Sequence, residues 1–323
     1  MSKLVVRVPN WIGDCVMALP ALQLLHTNGI DLCILGRGWT TSLLRSLDAS
    51  ITTLAAGQGP GSQQLKELKQ QGAKAALLMT HSCSSAAMAK RAGLPAIGFA
   101  KDWRGPLLTK RLPWPRESHE VLRYWTLAEA ALAWMGQPSE VTRMEDWQPP
   151  WCKLEPSLEH LQAGAAAFAH AGLSSDNQTT LICPVATGTV KGMDKQWPGF
   201  KDFAHLWQND PATGATPLAV IAPPGKEAEL REQFPALPLL SNLTMDAFIG
   251  ILAQAKLVIA NDSGPMHIAC AMGTRCLVPF GTGITYPERT GAWSPQLIPL
   301  TGGDPWPSAV QSLEAILSLP VNE

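Results

Sequence analysis

Short apolar runs alternate with amphipathic stretches along most of the chain. The runs have the length and composition of buried strands, and they lie at residues 4–8, 31–35, 75–79, 96–99, 180–184, 218–222, 257–260 and 276–280. The stretches between them have helical periodicity, at residues 15–26, 63–71, 84–92, 119–135, 158–171, 200–208, 227–234, 245–254 and 308–317. Strands that alternate with helices predict parallel sheets covered by helices, that is, a doubly wound α/β fold.

A segment rich in proline and tryptophan, residues 145–157, interrupts this alternation and is the predicted linker. A chain of 323 residues exceeds the size that one hydrophobic core usually serves. We therefore expect one domain at residues 1–150 and a second at residues 151–305. A last amphipathic helix falls within residues 306–323.

Residues 101–116 form a second interruption, because prolines and a glycine break any regular spacing. The segment carries five Lys or Arg residues against one acid, with Trp103 and Trp114 among them. One interpretation is a basic, aromatic surface that meets an anionic partner. The other is a solvated loop with its tryptophans packed beneath, and the charge pattern alone does not choose between the two.

Composition narrows the classes of function. A net charge of −1 is not typical of a nucleic-acid-binding protein. The seven cysteines include no C-x-x-C pair, which favours free thiols in a reducing compartment over disulfides or a zinc site. No apolar run approaches the roughly 18 residues that a spanning helix needs, and residues 4–8 are too short for a signal sequence. We expect a cytoplasmic protein whose association with a membrane, if any, is peripheral.

The segment at residues 256–281 carries the strongest functional signal. A buried strand leads into the turn Asn-Asp-Ser-Gly at 261–264, and Pro265 suits the first turn of a helix. In a parallel sheet such a turn lies at the carboxyl edge, where ligands bind. Its N–H groups and the helix N-terminus suit a phosphate, so Asp262 would instead hold the turn or accept from sugar hydroxyl groups. The alternative is that Asp262 or Ser263 merely caps the helix.

Two other loops of the C-terminal half are candidates for the same ligand. Thr187, Thr189, Lys191 and Lys195 lie among glycines in one loop. Hydroxyl groups, N–H groups and lysines suit a diphosphate, although this composition is also that of an ordinary surface loop. Glu227 follows a predicted strand and would accept from ribose hydroxyl groups, unless it is simply a glutamate in the first turn of a helix.

Asp14 follows the first predicted strand, in the loop Pro-Asn-Trp-Ile-Gly-Asp. It is either the N-cap of the helix at 15–26 or a functional carboxylate that acts as a general base. A helix N-terminus favours the carboxylate anion, whereas burial favours the neutral acid. The sequence leaves the balance between these two effects open.

Two of these motifs resemble the signatures of glycosyltransferase family 9, the ADP-heptose:lipopolysaccharide heptosyltransferases. They are Trp-Ile-Gly-Asp at 11–14 with Pro20 downstream, and Asn-Asp-Ser-Gly-Pro-Met-His-Ile-Ala at 261–269 before a strand that ends in Phe-Gly. The resemblance implies a GT-B fold, in which two Rossmann-like domains face an interdomain cleft and a C-terminal helix packs back toward the N-terminal domain. It also implies inverting transfer of heptose from ADP-heptose to an anionic lipopolysaccharide inner-core acceptor, with no metal, cofactor or nucleic acid. The expected location is cytoplasmic, peripheral at the inner face of the inner membrane.

Individual residues acquire expected roles from the same resemblance. Asp14 is the expected base for the acceptor hydroxyl, and Lys195, just before Trp-Pro, is the expected phosphate ligand. The expected donor-binding residues are Thr187, Thr189, Lys195, Glu227, Asp262, Ser263, Gly264 and His267. The expected acceptor-binding residues come from the first loop and from the basic segment. They are Trp11, Gly13, Lys101, Arg104, Lys110 and Arg111.

The sequence departs from the family after Phe280-Gly281, where Thr-Gly-Ile-Thr-Tyr-Pro replaces the usual Thr/Ser-Asp/Ser-Pro run. Sugar and acceptor specificity are therefore open. Alternative hypotheses are a nucleotide-sugar-binding protein without catalysis on the same fold, and a GT-B transferase that uses another nucleotide sugar. A nicotinamide oxidoreductase is a further alternative, but Gly36-Arg37-Gly38 lacks the third glycine of the dinucleotide fingerprint.

Overall fold

The computed structural model describes residues 2–47, 49–54, 62–115, 118–137, 150–190 and 192–319. The chain divides into two compact units, Met1–Trp151 and Cys152–Glu323. Of the features predicted from sequence, those outside the described residues are Lys191, Arg116 and the start of the linker at 145–149. Each unit is built on its own parallel sheet.

The sheet of the first unit is six-stranded and parallel. Its strands are β1 (Ser2–Arg7), β2 (Ile30–Arg37), β3 (Ser50–Leu54), β4 (Ala73–Leu78), β5 (Ala96–Phe99) and β6 (Lys110–Leu112). Their order across the sheet is β3-β2-β1-β4-β5-β6, with Arg7 of β1 opposite Leu35 on one side and Leu78 on the other. Strands β2 and β3 are added on one side of β1, and strands β4 to β6 on the other. The order therefore reverses between β1 and β4, and such a switch point is where ligands bind in doubly wound sheets.

Helices follow most of these strands. They are α1 (Ile12–Met17), α2 (Leu19–Thr27), α3 (Thr40–Leu43), α4 (Ser62–Gln70), α5 (Cys83–Arg91) and α6 (Glu120–Trp134). The single helix predicted at 15–26 is instead two helices, of which the first begins at Ile12 and ends at its C-cap, Ala18. Pro20 explains the break, because proline has no N–H to donate and fits only the first turn of a helix, here that of α2.

The segment at residues 101–116 is more regular than predicted. It contains a 3-10 turn at Gly105–Leu107 and the edge strand β6. Apolar patterning missed β6 because two of its three residues are cations, a common feature of edge strands. The same reasoning missed β3, in which Ser and Thr residues take apolar positions.

The second unit also contains a six-stranded parallel sheet. The strands of this unit are β7 (Thr180–Cys183), β8 (Thr189–Val190), β9 (Met193–Asp194), β10 (Leu218–Ile221), β11 (Leu239–Leu240), β12 (Leu257–Ala260), β13 (Cys276–Pro279) and β14 (Leu297–Leu300). The parallel sheet has the order β11-β10-β7-β12-β13-β14, and β8 and β9 form a separate antiparallel hairpin. Growth of this sheet reverses between β7 and β12. The predicted α/β class with two doubly wound sheets is confirmed.

The helices of the second unit are α7 (Leu158–His170), α8 (Phe200–Asn209), α9 (Glu227–Gln233), α10 (Met245–Ala253), α11 (Gly264–Ala271), α12 (Pro287–Thr290) and α13 (Ala309–Leu317). Ala309 and Leu313 of α13 pack into the core of this unit with Phe203 of α8. The prediction that α13 also reaches the N-terminal domain stays a prediction. In the part of the chain that the structure describes, no helix has both the length and the hydropathy to cross a bilayer.

Candidate functional site

Asn261 joins the two strands that flank the reversal in the second sheet. It follows β12 and is fully buried, and its Nδ2 donates to the carbonyl oxygens of Cys183 (3.3 Å) and Pro184 (3.0 Å) after β7. Its Oδ1 accepts from the backbone N–H of Trp197 at 2.8 Å. A buried amide with this many bonds fixes the shape of the carboxyl edge. Asn261 was not among the residues predicted from sequence, although its place in the turn at 261–264 is a signal.

Helix α11 begins without a side-chain cap. Ser263 is its N-cap residue, but the Ser263 hydroxyl donates to the carbonyl oxygen of Asn261 at 3.3 Å. The Asp262 carboxylate accepts from Thr290 Oγ1 at 2.9 Å. Ser263 thus occupies the N-cap position, but the alternative that the Asp262 or Ser263 side chain caps the helix is wrong. Because no side chain caps the first turn, which starts at Gly264, the N-terminus of α11 can bind an anion.

Asp262 and Lys195, two predicted donor-binding residues, are in direct contact. Lys195 Nζ donates to the backbone carbonyl oxygen of Asp262 at 3.2 Å. Burial raises the pKa of Asp262 to about 6, while the hydrogen bond from Thr290 and then the charge of Lys195 act to lower it. The ammonium group thus lies beside the uncapped helix, where it would offset the charge of a bound anion.

The predicted Thr/Gly/Lys loop contains the hairpin β8–β9 and is not irregular throughout. Gln196 fixes the base of this hairpin, because its Nε2 donates to the Asp194 carboxylate at 3.0 Å and its Oε1 accepts from the Ala186 N–H at 3.3 Å. Thr187 and Thr189 are exposed. Their hydroxyl groups therefore lie on a braced backbone after β7, one of the two strands that Asn261 joins.

Two other predicted donor-binding residues lie close to helix starts in the same unit. Glu227 is the first residue of α9 and follows β10, which pairs with β7. His267 lies in the first half of α11 and is 4% exposed. Both follow the carboxyl ends of central strands. Their contact with a ligand stays a prediction.

Arg7 organises the corresponding edge of the first sheet. Its buried guanidinium donates to the carbonyl oxygens of Val8 and Leu35 and to Asn10 Oδ1, which fixes the loop between β1 and α1. Burial, and then the charge of Arg37, lower the pKa of Arg7 to about 10, so the side chain is a cation at neutral pH. Arg7 was not among the residues predicted from sequence, and its only signal there is a charge at the end of an apolar strand.

Asp14 lies in the first turn of α1, after this loop. The N-cap of α1 is Trp11, so the alternative that Asp14 is an N-cap is wrong. Asp14 is partly buried, and its charge adds to burial in raising the pKa of Tyr124 on α6. Gly13 precedes it within the helix, and the Trp11 side chain is 66% exposed. The carboxylate is therefore at the carboxyl edge of the first sheet, beside the start of α6.

Cations surround Trp114 and His81 at the same edge. Lys101 Nζ lies 4.0 Å from the centroid of the Trp114 ring, and the guanidinium carbon of Arg123 lies 4.5 Å from it. The His81 ring meets the Trp114 ring edge-on, with 4.6 Å between centroids. Burial, and then the neighbouring cations, lower the pKa of His81 to about 4, so His81 is neutral at neutral pH. Arg123 also pairs with Glu120, which leaves the Lys101 charge to attract an anion.

Arg104 differs from the expectation for an acceptor-binding residue. Its side chain is fully buried, with Nε donating to the carbonyl oxygen of Phe99 at 2.8 Å and the guanidinium also donating to that of Thr80. It therefore ties the ends of β4 and β5 together and does not lie at the surface. The sequence pattern misled here, because an arginine in a Lys/Arg-rich segment is usually solvated. Lys110 and Arg111 are exposed.

Metal-ligating side chains are not clustered in the described residues, where no three His, Cys, Asp or Glu residues are grouped to hold an ion. The cysteines are free thiols, and Cys83 is exposed while the others are buried. Burial raises the pKa of the Cys183 thiol, which lies below the donor-side loops. This thiol is therefore protonated and is part of the core.

Comparison with known proteins agrees with this geometry. The profile of glycosyltransferase family 9 (heptosyltransferase) matches residues 63–314. Lipooligosaccharide heptosyltransferase 2 of Haemophilus ducreyi is 23% identical in an alignment that is 328 residues long and covers 92% of this chain and 87% of that protein. The solved structure of E. coli ADP-heptose lipopolysaccharide heptosyltransferase II has a TM-score of 0.77 at 20% identity and covers 98% of both chains.

A second solved structure, E. coli heptosyltransferase WaaC with ADP, has a TM-score of 0.69 at 16% identity and covers 98% of this chain and 99% of that chain. At such identities these likenesses show a shared fold, the GT-B fold. The family profile spans well over half of the chain and includes the donor-side loops. The chain therefore belongs to glycosyltransferase family 9, the heptosyltransferases.

Proposed function

We propose that this chain transfers heptose from ADP-heptose to a sugar of the lipopolysaccharide inner core. Membership of the family supports the reaction class, and the names of the similar proteins supply the donor and the acceptor. The observation that carries the proposal is the contact between Lys195 and the Asp262 loop at the uncapped start of α11. A cation and free N–H groups at the reversal of a doubly wound sheet form a site for a nucleoside diphosphate.

On the donor side, the diphosphate lies against Lys195 and the first N–H groups of α11. The hydroxyl groups of Thr187 and Thr189 are further donors to its oxygens. Glu227, after β10, accepts from the ribose. Asp262 and His267 contact the heptose. For Asp262 the reason is that a carboxylate accepts from sugar hydroxyl groups and is repelled by phosphate.

On the acceptor side, Asp14 is the general base. It takes the proton of the acceptor hydroxyl as that oxygen forms a bond to the anomeric carbon of heptose. The bond from this carbon to the diphosphate breaks, and ADP leaves with the electron pair. Attack from the face opposite the leaving group inverts the anomeric centre. Lys195 and the N–H groups of α11 stabilise the charge that develops on ADP.

The acceptor is an anionic lipid-linked sugar. Lys101, which lies over the Trp114 ring, supplies the positive potential that attracts the carboxylates or phosphates of the acceptor. Lys110 and Arg111 extend this potential over the edge strand. A lipid-linked acceptor places the protein at the inner face of the inner membrane, bound from the cytoplasm as a peripheral protein.

A nucleotide-sugar panel tests this proposal. The purified protein is incubated with ADP-heptose, ADP-glucose, UDP-glucose or GDP-mannose, with and without an inner-core acceptor, and release of ADP, UDP or GDP is measured. We expect acceptor-dependent release of ADP from ADP-heptose. Tight binding of ADP-heptose without turnover on any acceptor would instead identify a non-catalytic binder, and preferred release of UDP or GDP would identify another donor.

A further inference from the structure

The turn after β5 holds a tryptophan outward in an unfavourable backbone conformation. Asp102 and Trp103 have φ angles of 51° and 62°, in the left-handed region, and Trp103 is 98% exposed. Among the described residues the other non-glycine residues in this region are Asn177 and Asn242, and asparagine tolerates it. A bulky residue there is an outlier that persists only where the surrounding structure enforces it.

Hydrogen bonds to groups at or just after the ends of β4 and β5 and from the start of α5 enforce this turn. Arg104 is the main constraint, because its backbone N–H donates to the carbonyl oxygen of Lys101 at 3.2 Å while its side chain binds those of Phe99 and Thr80. Cys83 Sγ donates to the carbonyl oxygen of Asp102 at 3.1 Å. The exposed indole is therefore on a rigid support and does not lie at the tip of a loose loop.

Cations lie on the edge strand close to this turn. Lys110 and Arg111 are exposed on the adjacent edge strand, and the aliphatic stem of Arg111 lies beside Gly105, two residues after Trp103. Asp102 is the one acid in residues 101–112. Tryptophan lies favourably at the headgroup level of a bilayer, and Lys and Arg are attracted to anionic headgroups. The two features together match the chemistry of an anionic membrane surface.

We propose that Trp103, supported by Arg104 and flanked by Lys110 and Arg111, is a membrane anchor whose indole enters the headgroup layer of a bilayer that contains anionic lipid. The anchor rests on the proposed function in one respect, that a lipid-linked acceptor gives the protein a reason to bind membranes. At 98% exposure, neither face of the indole packs against a protein wall. Small-molecule sites are concave and bury most of the ligand, so a bilayer is the better partner for this protruding ring.

Flotation with vesicles tests the anchor. Wild-type protein, Trp103→Ala and Trp134→Ala are mixed with phosphatidylcholine vesicles, with or without phosphatidylglycerol. Trp134 is the matched control, since it is also exposed but lies at the end of α6. We expect wild-type binding to need phosphatidylglycerol and to weaken with salt, and Trp103→Ala to lose roughly tenfold in partitioning while Trp134→Ala loses none. Wild-type partitioning by Trp103→Ala would overturn the proposal.

Turnover separates the anchor from other partners and from the function itself. With a delipidated, water-soluble acceptor, Trp103→Ala should turn over at the wild-type rate, and with acceptor in vesicles it should be slower. If Trp103→Ala binds vesicles normally but is slower on the soluble acceptor, the ring contacts the sugar. If it binds vesicles normally but changes oligomeric state, the ring makes a contact between copies of the chain. Either result overturns the anchor. If no acceptor is turned over but vesicle binding depends on Trp103, the proposed function fails and the anchor stands.

Discussion

Thr290 Oγ1 donates a hydrogen bond to Asp262 Oδ2 at 2.9 Å, which links the short helix α12 to the loop after β12. The two residues are far apart in sequence, and only the fold brings them together. The bond favours the Asp262 anion, whereas burial favours the neutral acid, and burial is the larger effect. The hydrogen bond from Thr290 therefore limits how far burial raises the pKa of Asp262.

The raised pKa of Asp262 predicts a pH-dependent stability. The folded state holds the proton more tightly than the unfolded chain, with a pKa of about 6 against 3.8. The resulting stabilisation is complete below the unfolded value and is lost as pH rises through the folded value. Relative to Asp262→Asn, the wild-type free energy of unfolding should fall by up to about 3 kcal/mol from about pH 4 to about pH 7, as measured by urea titration.

Variants of Thr290 are the control for this effect. Thr290→Val keeps the shape and removes the donor, so the loss of stability should move to higher pH, while Thr290→Ser should keep the wild-type profile. If wild type and Asp262→Asn have parallel pH profiles, Asp262 does not titrate in this range.

Asp14→Asn should abolish transfer and leave ADP binding unchanged. The amide has nearly the same shape but cannot take the acceptor proton, so the turnover number should fall by about 10²-fold or more. Calorimetry with ADP is the control, because Asp14 belongs to the first unit whereas the residues proposed to bind the nucleotide belong to the second. Full turnover by this variant would remove Asp14 as the base.

Lys195→Gln should weaken ADP binding by roughly tenfold or more, because a charge-assisted bond to a phosphate is replaced by a neutral one. The matched control is Lys201→Gln, an exposed lysine of α8 to which we assign no role in the site. Calorimetry at constant ionic strength measures both. Equal losses in the two variants would show that only the overall charge of the protein matters.

Gly250→Ala should be strongly destabilising, because α7 and α10 pack with their backbones in contact. A Cβ at Gly250 would lie 1.9 Å from the carbonyl oxygen of His160. The helices would have to separate, and we expect a loss of about 3 kcal/mol or more in the free energy of unfolding. Gly38→Ala is the control, since a Cβ there meets no atom within 4 Å. Thermal or urea unfolding measures the difference.

Much of the fold could be predicted from sequence, because buried parallel strands are apolar on both faces and stand out from the chain around them. The strands at 96–99 and 257–260 are found at those residues in the structure. The edge strands β3 and β6 were missed because they are polar or charged where a central strand is apolar. The edge strands β11 and β14 were missed although they are apolar, so polarity is not the reason there. The placement of Asp14, Lys195 and Asp262 after strand ends followed from local order and the carboxyl-edge rule.

Local pattern by itself determined the strand and helix alternation, the two halves and the position of the key acidic residues, because these depend on neighbours within a few residues. The roles of Arg104, Asn261 and Thr290 were decided by tertiary structure alone. Each binds groups that are distant in sequence, such as Arg104 with Thr80, Asn261 with Cys183 and Thr290 with Asp262. Burial and long-range hydrogen bonds arise only when the sheets assemble, and they convert ordinary polar residues into the supports of the site.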